Sequence, residues 1–492
     1  MTLYRTFSAV QADLKTGTIT CRQLVEYYLA RIEENRQLNV FIDVYAEESL
    51  ERANQIDKKL ANGSAGRLAG MVIGIKDVLS YAGHGVQAGS RILDNFTAQF
   101  TATAVQQLLD EDAIIIGRQN CDEFAMGSSN ENSAFGPVRN AADTSRVPGG
   151  SSGGSAVAVQ AGLCLASIGS DTGGSVRQPA AFCGVVGLKP TYGRISRWGL
   201  IAYASSFDCI GPIANTIDDV ALLLEIMAGP DEFDSTGSSQ PVAAYTQTQL
   251  PNLNNGSAKP TPLRIAYLRE GVESEGVDRS IREATQRRID ELRSLGHTVK
   301  SVDLSLLKYL LPTYYVLTTA EASSNLSRFD GVRYGHRHAS AADVSTLDLL
   351  TLYKKSRTEG FGTEVRRRIL LGTFVLSASY YDAYYTKAQQ VRRLIWEETE
   401  RIFGQYDFLL SPTTPTTAFQ LTEKAVGRAG EDPLQMYLAD IFTVLANVVG
   451  YPAISIPNGT DASGLPIGLQ LMAQPFAEGS LLAFGKSMMY IV

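Results

Sequence analysis

The chain has 492 residues, of which 44% are hydrophobic and 19% are charged, and its formal net charge is −7. This balance is typical of a soluble globular protein with a large core, and no apolar run reaches the eighteen or so residues of a membrane span. An acidic chain without a basic face is not expected to grip nucleic acid by itself, because phosphate neutralisation supplies much of that affinity. If RNA takes part in the function, another chain is expected to hold it.

The N-terminal residues lack the apolar core of a secretory signal. Five cysteines are scattered without CxxC spacing, which predicts reduced, mostly buried thiols and excludes a disulfide framework or a zinc site. They are Cys21, Cys121, Cys164, Cys183 and Cys209. We therefore expect a cytoplasmic protein without a bound metal.

Strands alternate with helices along the first half of the chain. Residues 1–65 are predicted as an N-terminal helical segment, with a capping box that starts at Thr20. "GMVIGIKD" and "DAIIIGRQN" are typical of short buried strands, and the helix Thr103–Asp110 lies between them. A capped helix, "TIDDVALLLEIMAG", follows further along.

The second half continues the same pattern. "LRIAYL" and "HTVKSV" are predicted strands on either side of a helix, and helices dominate from Pro312 to about Phe403. Strand patterns return at the end, in "YDFLLSP", "PAISIP" and "IGLQLMA". Alternating elements with strands at both ends predict one α/β domain over residues 1–492. The polar stretch 237–262 is interpreted as a surface excursion from that domain.

Glycine and serine dominate "PGGSSGGSAVAV" at 148–159, a composition that flexible linkers share. Small apolar residues and a second cluster, Gly173-Gly174-Ser175, follow it, which favours an active-site loop where the backbone approaches a ligand. The GxSxG pattern in this run is not preceded by a strand, so a nucleophile elbow is not supported. A histidine base is also poorly supplied, because the chain has only His84, His297, His336 and His338.

Lysine is the alternative base. Lys76 ends an apolar strand, where burial disfavours the charged amine and lowers its pKa. A lone lysine at a strand end is more often a surface residue. Together with Ser151 and Ser175, however, it forms a possible Ser-Ser-Lys relay, in which one serine passes a proton and the other attacks.

These segments resemble the amidase-signature family. The resemblance is carried by "GIKD" at 74–77, by "PGGSSGGSAVAV", and by "GSDTGGSVRQPAAFCGVVGLKPTYGRIS" at 169–196, and later blocks such as "SPTTPTTAF" extend it over nearly the whole chain. It implies an α/β fold with a large central mixed β-sheet covered by helices on both sides. The later blocks resemble the branch that hydrolyses glutamine for a tRNA-dependent amidotransferase.

The resemblance also implies roles for particular residues. Ser175 is the implied nucleophile, Ser151 the bridging serine on a cis peptide, and Lys76 the base. The implied oxyanion hole consists of the backbone amides that precede the nucleophile, namely Asp171, Thr172, Gly173 and Gly174. Three side chains are implied to bind free glutamine, namely Tyr314, Arg368 and Asp440. A guanidinium pairs well with an α-carboxylate and a carboxylate with an α-ammonium.

Two of these assignments leave alternatives open. Arg368 belongs to the basic run 366–368, which in a helical pattern also fits a solvated face. Tyr315 is adjacent to Tyr314, and either ring could point inward.

The implied reaction is hydrolysis of glutamine to glutamate and ammonia. In the resembled branch two partner chains, subunits B and C, complete a heterotrimer. The first partner uses the ammonia, with ATP and Mg²⁺, to amidate a misacylated tRNA, and the second is small. This chain itself is then expected to need no cofactor.

Some features of the chain leave the branch open. A stand-alone amidase that acts on another carboxamide is the alternative to the glutamine-hydrolysing branch. The segment 423–433 is longer than expected for that branch, and the sequence stops at "SMMYIV", earlier than expected for it. Either difference is expected to bear on the contacts with partners.

Overall fold

The computed structural model describes residues 3–250, 262–338, 348–421 and 438–489. The segment 423–433 and part of the stretch 237–262 therefore lie outside the described residues, as do the last three residues of the chain. No helix in these ranges is long and apolar enough to span a bilayer.

Eleven strands of the described residues form one mixed sheet in the order β1-β3-β2-β4-β6-β5-β10-β11-β9-β7-β8. The strands are β1 Phe41–Val44, β2 Val72–Lys76, β3 Ile114–Gln119, β4 Ala166–Asp171, β5 Val186–Lys189, β6 Cys209–Ala214, β7 Arg264–Leu268, β8 Thr298–Val302, β9 Phe408–Pro412, β10 Ala453–Thr460 and β11 Pro466–Met472. β2 runs parallel to β3 and β4, whereas β4, β6, β5, β10, β11 and β9 pair antiparallel in succession. Strands from both ends of the chain thus share one sheet, as the sequence predicted.

Fifteen α-helices pack around the sheet in the described ranges. They are α1 Phe7–Thr16, α2 Cys21–Glu34, α3 Ala46–Ala61, α4 Thr103–Asp110, α5 Gly153–Gln160, α6 Arg177–Cys183, α7 Ile217–Met227, α8 Glu270–Glu273, α9 Arg279–Ser294, α10 Leu307–Asn325, α11 Leu349–Gly360, α12 Thr363–Val375, α13 Lys387–Phe403, α14 Val444–Val449 and α15 Glu478–Met489. Every residue of β2, β3, β4 and β6 is buried. Both faces of the central sheet are therefore covered, as parallel and mixed sheets of α/β proteins require.

The N-terminal segment is helical as predicted, with one strand added. The Thr20 hydroxyl accepts from the Gln23 N–H and the Gln23 side chain reaches back to the Thr20 N–H, so the predicted capping box begins α2. The short β1 pairs with β3 at the sheet edge. Its four residues carry too weak an alternation to be recognised in the sequence.

The first residues of the polar stretch 237–262 are attached to the core of the domain. Arg194 is buried and donates hydrogen bonds to the carbonyls of Gln240 and Pro241 and to the Tyr245 hydroxyl. Tyr245 itself is buried. The beginning of this stretch therefore packs on the domain as a surface segment.

Helices α10 and α12 approach each other closely at Gly372. A Cβ atom added there would lie 1.9 Å from the Thr319 carbonyl oxygen and 2.8 Å from Ser323 Cβ. Backbone atoms cannot move aside as a flexible side chain could. Only glycine therefore permits this approach, and it brings together two helices that carry Tyr314 and Arg368.

We expect Gly372→Ala to destabilise the protein by about 1–3 kcal/mol, because overpacking forces the two backbones apart. In an ordinary helix the same change stabilises by about 1 kcal/mol, so the sign is diagnostic. Chemical unfolding monitored by circular dichroism measures it. Gly404→Ala is the matched control, because its added Cβ would lie no nearer than 3.5 Å to its neighbours. Equal stability of the two variants would contradict the prediction.

Candidate active site

Lys76 is the last residue of β2, and its side chain is fully buried. Its Nζ donates to Ser151 Oγ at 2.6 Å and to Ser170 Oγ at 2.9 Å. β2 and β4 are parallel neighbours, so their carboxyl ends bring Lys76 and Ser170 to the same edge of the sheet. Ser170 was not predicted as a site residue, although this shared edge could have indicated it.

Burial lowers the pKa of Lys76 to about 8, because desolvation disfavours the ammonium form. Cys121 and the carboxyls of Asp122, Asp171 and Asp208 act in the opposite direction. Desolvation prevails, and the amine is neutral in about a tenth of the molecules at neutral pH. A buried neutral amine hydrogen-bonded to a hydroxyl is suited to accept a proton.

Ser151 follows a cis peptide bond, Gly150–Ser151, as the family resemblance implies. The Gly150 N–H donates to Gln178 Oε1 at 2.8 Å, and the Ser151 carbonyl accepts from the Asp122 N–H. A Cβ on Gly150 would lie 2.1 Å from the Asp122 carboxylate. The glycine-serine stretch is therefore a tightly packed loop of the core that leads into α5, and the linker interpretation is wrong.

Ser175 lies in the loop between β4 and α6. Its backbone carbonyl accepts from the Ser152 N–H at 3.1 Å, which joins the two glycine-serine loops directly. Ser175 is 7% exposed, whereas Lys76 and Ser151 are both 0% exposed. Among the three predicted catalytic residues, Ser175 is therefore the one that solvent, and hence a substrate, can reach.

A buried ion pair shapes the loop that holds Ser175. Asp171 and Arg177 are joined by two hydrogen bonds, of 3.0 and 2.9 Å. The Asp171 carboxylate also accepts from the backbone N–H groups of Gly174 and Val176, at 2.9 and 3.1 Å. Burial alone would raise the pKa of Asp171, but the Arg177 guanidinium outweighs it and lowers the pKa to about 2. The loop is thus folded around a carboxylate that stays ionised.

One donor of the predicted oxyanion hole is already hydrogen-bonded in this arrangement. The Gly174 N–H points to Asp171 Oδ1 and is engaged inside the loop. An incoming oxyanion would have to compete with a full negative charge for that donor. The amides of Asp171, Thr172 and Gly173 stay a prediction.

Tyr314 lies against the nucleophile loop. A Cβ on Gly173 would lie 2.5 Å from the Tyr314 hydroxyl, so glycine is required where the ring approaches. Tyr314 is buried, and burial raises its pKa well above the usual range, which keeps the hydroxyl protonated. The neighbouring Tyr315 instead places its ring 5.5 Å from the Arg368 guanidinium. Both rings therefore face the site.

Arg368 is buried, at 3% exposure, and the interpretation of a solvated face is wrong for this residue. It pairs with Glu364 one turn earlier on α12, with 2.8 Å between Nε and Oε1, and donates to the Tyr203 hydroxyl at 2.8 Å. Its guanidinium also lies over the Tyr203 ring, 5.6 Å from the centroid. By contrast, Arg366 on the same helix is exposed.

Asp440 is buried and accepts a hydrogen bond from Ser128 Oγ at 2.6 Å. Burial raises its pKa to about 7, and the positive charge of Arg368 acts against that rise. Tyr314 also lies within the electrostatic reach of both Asp440 and Arg368. The structure therefore brings the three predicted substrate-binding side chains into one region beside Gly173.

The four histidines contact groups other than the three predicted catalytic residues. His84 pairs with Glu48, His336 and His338 both contact Glu359, and His297 accepts from a backbone N–H. Within the described ranges, no group of three or more His, Cys, Asp or Glu side chains is arranged to hold a metal ion. All five cysteines are buried free thiols, as expected.

The chain matches the Amidase family model over residues 23–482. The matched range includes the buried lysine, the serine after the cis peptide and the serine in the glycine loop. The chain belongs to the amidase family. Among its relatives is the A subunit of glutamyl-tRNA(Gln) amidotransferase from Chlorobium limicola, 49% identical over 98% of both chains.

Solved structures share the fold. The crystal structure of the A subunit of glutamyl-tRNA(Gln) amidotransferase from Thermotoga maritima matches with a TM-score of 0.73 at 38% identity, over 94% of this chain and 90% of that one. A peptide amidase matches with a TM-score of 0.79 at 29% identity, over 97% and 95%. Backbone similarity thus does not separate the two kinds of enzyme, whereas sequence identity favours the amidotransferase.

If Lys76 is the base, kcat/KM for amide hydrolysis will rise with pH, reach half of its plateau at about 8 and level off above that, because only the neutral amine accepts a proton. A series of assays from mildly acidic to alkaline pH measures this. Lys76→Ala is expected to abolish the rise together with the activity. Ser170→Ala removes an acceptor that stabilises the ammonium, so the rise will shift to lower pH while activity persists. A flat wild-type profile would refute the role of Lys76.

Proposed function

We propose that this chain is the glutamine-hydrolysing subunit of a tRNA-dependent amidotransferase. The observation that carries the proposal is the buried Lys76 amine bonded to Ser151 Oγ, next to the loop of Ser175. Relatives that carry the name of such an amidotransferase match along the whole chain. The three buried side chains Tyr314, Arg368 and Asp440 supply the chemistry that free glutamine needs.

The reaction begins with proton transfer. The neutral Lys76 amine accepts the proton of Ser151, which in turn accepts that of Ser175, and Ser175 Oγ attacks the side-chain amide carbon of glutamine. The oxyanion that forms is stabilised by backbone amides of the Asp171–Gly173 segment. Lys76 returns a proton through Ser151 to the leaving nitrogen, the C–N bond breaks, and ammonia departs. Water then cleaves the γ-glutamyl ester to glutamate and restores Ser175.

Selectivity for glutamine follows from opposite charges at the far end of the substrate. In this proposal the Arg368 guanidinium binds the α-carboxylate and the Asp440 carboxylate binds the α-ammonium. Asp440, whose pKa is raised to about 7, is ionised in only part of the molecules at neutral pH, and a bound ammonium would favour the ionised form.

The remainder of the reaction belongs to two other chains in this proposal, the amidotransferase subunits B and C. The first partner would use ATP and Mg²⁺ to activate the acyl group of Glu-tRNA(Gln) or Asp-tRNA(Asn) and amidate it with ammonia, and the second would complete the heterotrimer. The acidic chain supports this division, because the tRNA would be held mainly by the partner. No cofactor is assigned to this chain.

The test compares the isolated chain with the chain reconstituted with both partner subunits, ATP, Mg²⁺ and each misacylated tRNA. We expect glutamate release to increase with the partners, and amidated tRNA to form. Ser175→Ala is expected to lower glutamine-dependent amidation at least about 100-fold, because the nucleophile is gone. Amidation with ammonium chloride will persist in this variant. Full turnover by the isolated wild-type chain and no response to partners would instead support a stand-alone amidase.

Arg368→Ala is expected to lower kcat/KM for glutamine about 100-fold, because a charged hydrogen bond to the α-carboxylate is lost. The comparison substrate is 4-aminobutyramide, which is glutamine without that carboxylate, and its hydrolysis will change less than about threefold. Arg366→Ala, on the exposed side of the same helix, is the control and should leave both substrates unaffected. An equal loss on both amides would mean that Arg368 is structural.

A further inference from the structure

Asp208 is a buried carboxyl that the relay of Lys76, Ser151 and Ser175 does not use. It directly precedes β6 and is 3% exposed. Its Oδ1 accepts from Thr172 Oγ1 at 2.6 Å, and its Oδ2 accepts from the backbone N–H groups of Tyr203 and Ala204, both at 3.0 Å. One side chain therefore connects two loops that are far apart in sequence.

The first of these loops is the one that carries the nucleophile. Thr172 shortly precedes Ser175, and its backbone amide belongs to the predicted oxyanion hole. Its hydroxyl donates to Asp208, which fixes the side chain and restricts the backbone at that residue. Geometry at this position matters, because an oxyanion donor has to point at the place where charge develops.

The second loop supports the substrate-binding arginine. The Tyr203 hydroxyl accepts from Arg368 Nη1 at 2.8 Å, and the Tyr203 ring lies beneath the guanidinium. Tyr203 is 1% exposed, so its ring cannot move without repacking. A chain of direct contacts thus runs from Arg368 through Tyr203 and Asp208 to Thr172.

We propose that Asp208 is a positioning residue that couples the arginine binding the substrate carboxylate to the amides that stabilise the oxyanion. This deepens the proposed function and rests on it. A glutamine whose carboxylate fixes Arg368 also fixes the Tyr203 loop and, through Asp208, the Thr172 end of the nucleophile loop. An amide without an α-carboxylate would not fix Arg368 or the residues linked to it, and it would therefore be hydrolysed more slowly.

Asp208→Asn and Thr172→Val separate this coupling from a merely structural role. Asparagine keeps the shape and one acceptor oxygen for the Tyr203 and Ala204 amides, and valine keeps the shape of threonine. Each single variant is expected to lower kcat for glutamine about tenfold, in line with the loss of one hydrogen bond to a charged group. The double variant will be no more than about twofold less active than the less active single variant, because both changes remove the same charge-assisted hydrogen bond; asparagine can face Thr172 only with its amide nitrogen, which donates.

The second readout is the KM for glutamine. Tyr203→Phe removes only the hydroxyl that meets Arg368 and is expected to raise KM about tenfold, with 4-aminobutyramide unaffected. In the Asp208→Asn background the same change will raise KM less than about threefold, since the charged bond that ties the Tyr203 loop to Thr172 is already lost. Thermal melting of every variant controls for folding.

Two outcomes overturn the coupling. One is a double variant whose kcat falls by the product of the two single effects, and the other is a Tyr203→Phe effect on KM that is the same in both backgrounds. If wild type does not hydrolyse glutamine at all, the proposed function fails instead. The Thr172 and Asp208 cycle is then measured with 4-aminobutyramide, where non-additivity still supports the contact and additivity still refutes it.

Discussion

The buried contact between Arg177 and Asp171 is the constraint on which the rest of the site depends. A guanidinium has five N–H donors, and here all are satisfied, by Asp171, the Thr443 carbonyl, Asn447 and Gln470. Removing one partner of such a buried pair costs about 3–5 kcal/mol, because a charge is left without compensation. The ion pair therefore fixes the curvature of the loop that presents Ser175 and anchors it to β11 and to α14.

Two buried basic side chains of the site, Arg177 and Lys76, differ in the partners to which they are bonded. The Arg177 guanidinium is bonded to a carboxylate, and it holds Asp171 ionised. Lys76 is bonded to the hydroxyls of Ser151 and Ser170, which compensate a positive charge far less, so burial lowers its pKa. Structural rigidity and proton transfer are thus assigned to different side chains, because a guanidinium has a higher intrinsic pKa than an amine and because the partners differ.

The sequence predicted those parts of the site that are contiguous along the chain. Lys76 at a strand end and the serines within glycine runs carry local patterns, and the α/β class follows from alternating elements. It could not predict Asp208, Tyr203 or Ser128, because each acts through a contact between distant loops and has no pattern of its own. Nor could it reveal that the Gly174 amide is engaged by Asp171, since the same glycine would also suit a free donor.

The positions along the chain of the residues that contact Arg177 have a consequence for biosynthesis. Asp171 and Arg177 emerge from the ribosome long before Thr443, Asn447 and Gln470, which supply the remaining contacts of the guanidinium. At about 5–20 residues per second, these native contacts cannot form until on the order of ten seconds or more after Arg177 has been synthesised. A prematurely terminated product thus lacks a preorganised nucleophile loop. The nucleophile loop is therefore expected to become preorganised only when translation is almost complete.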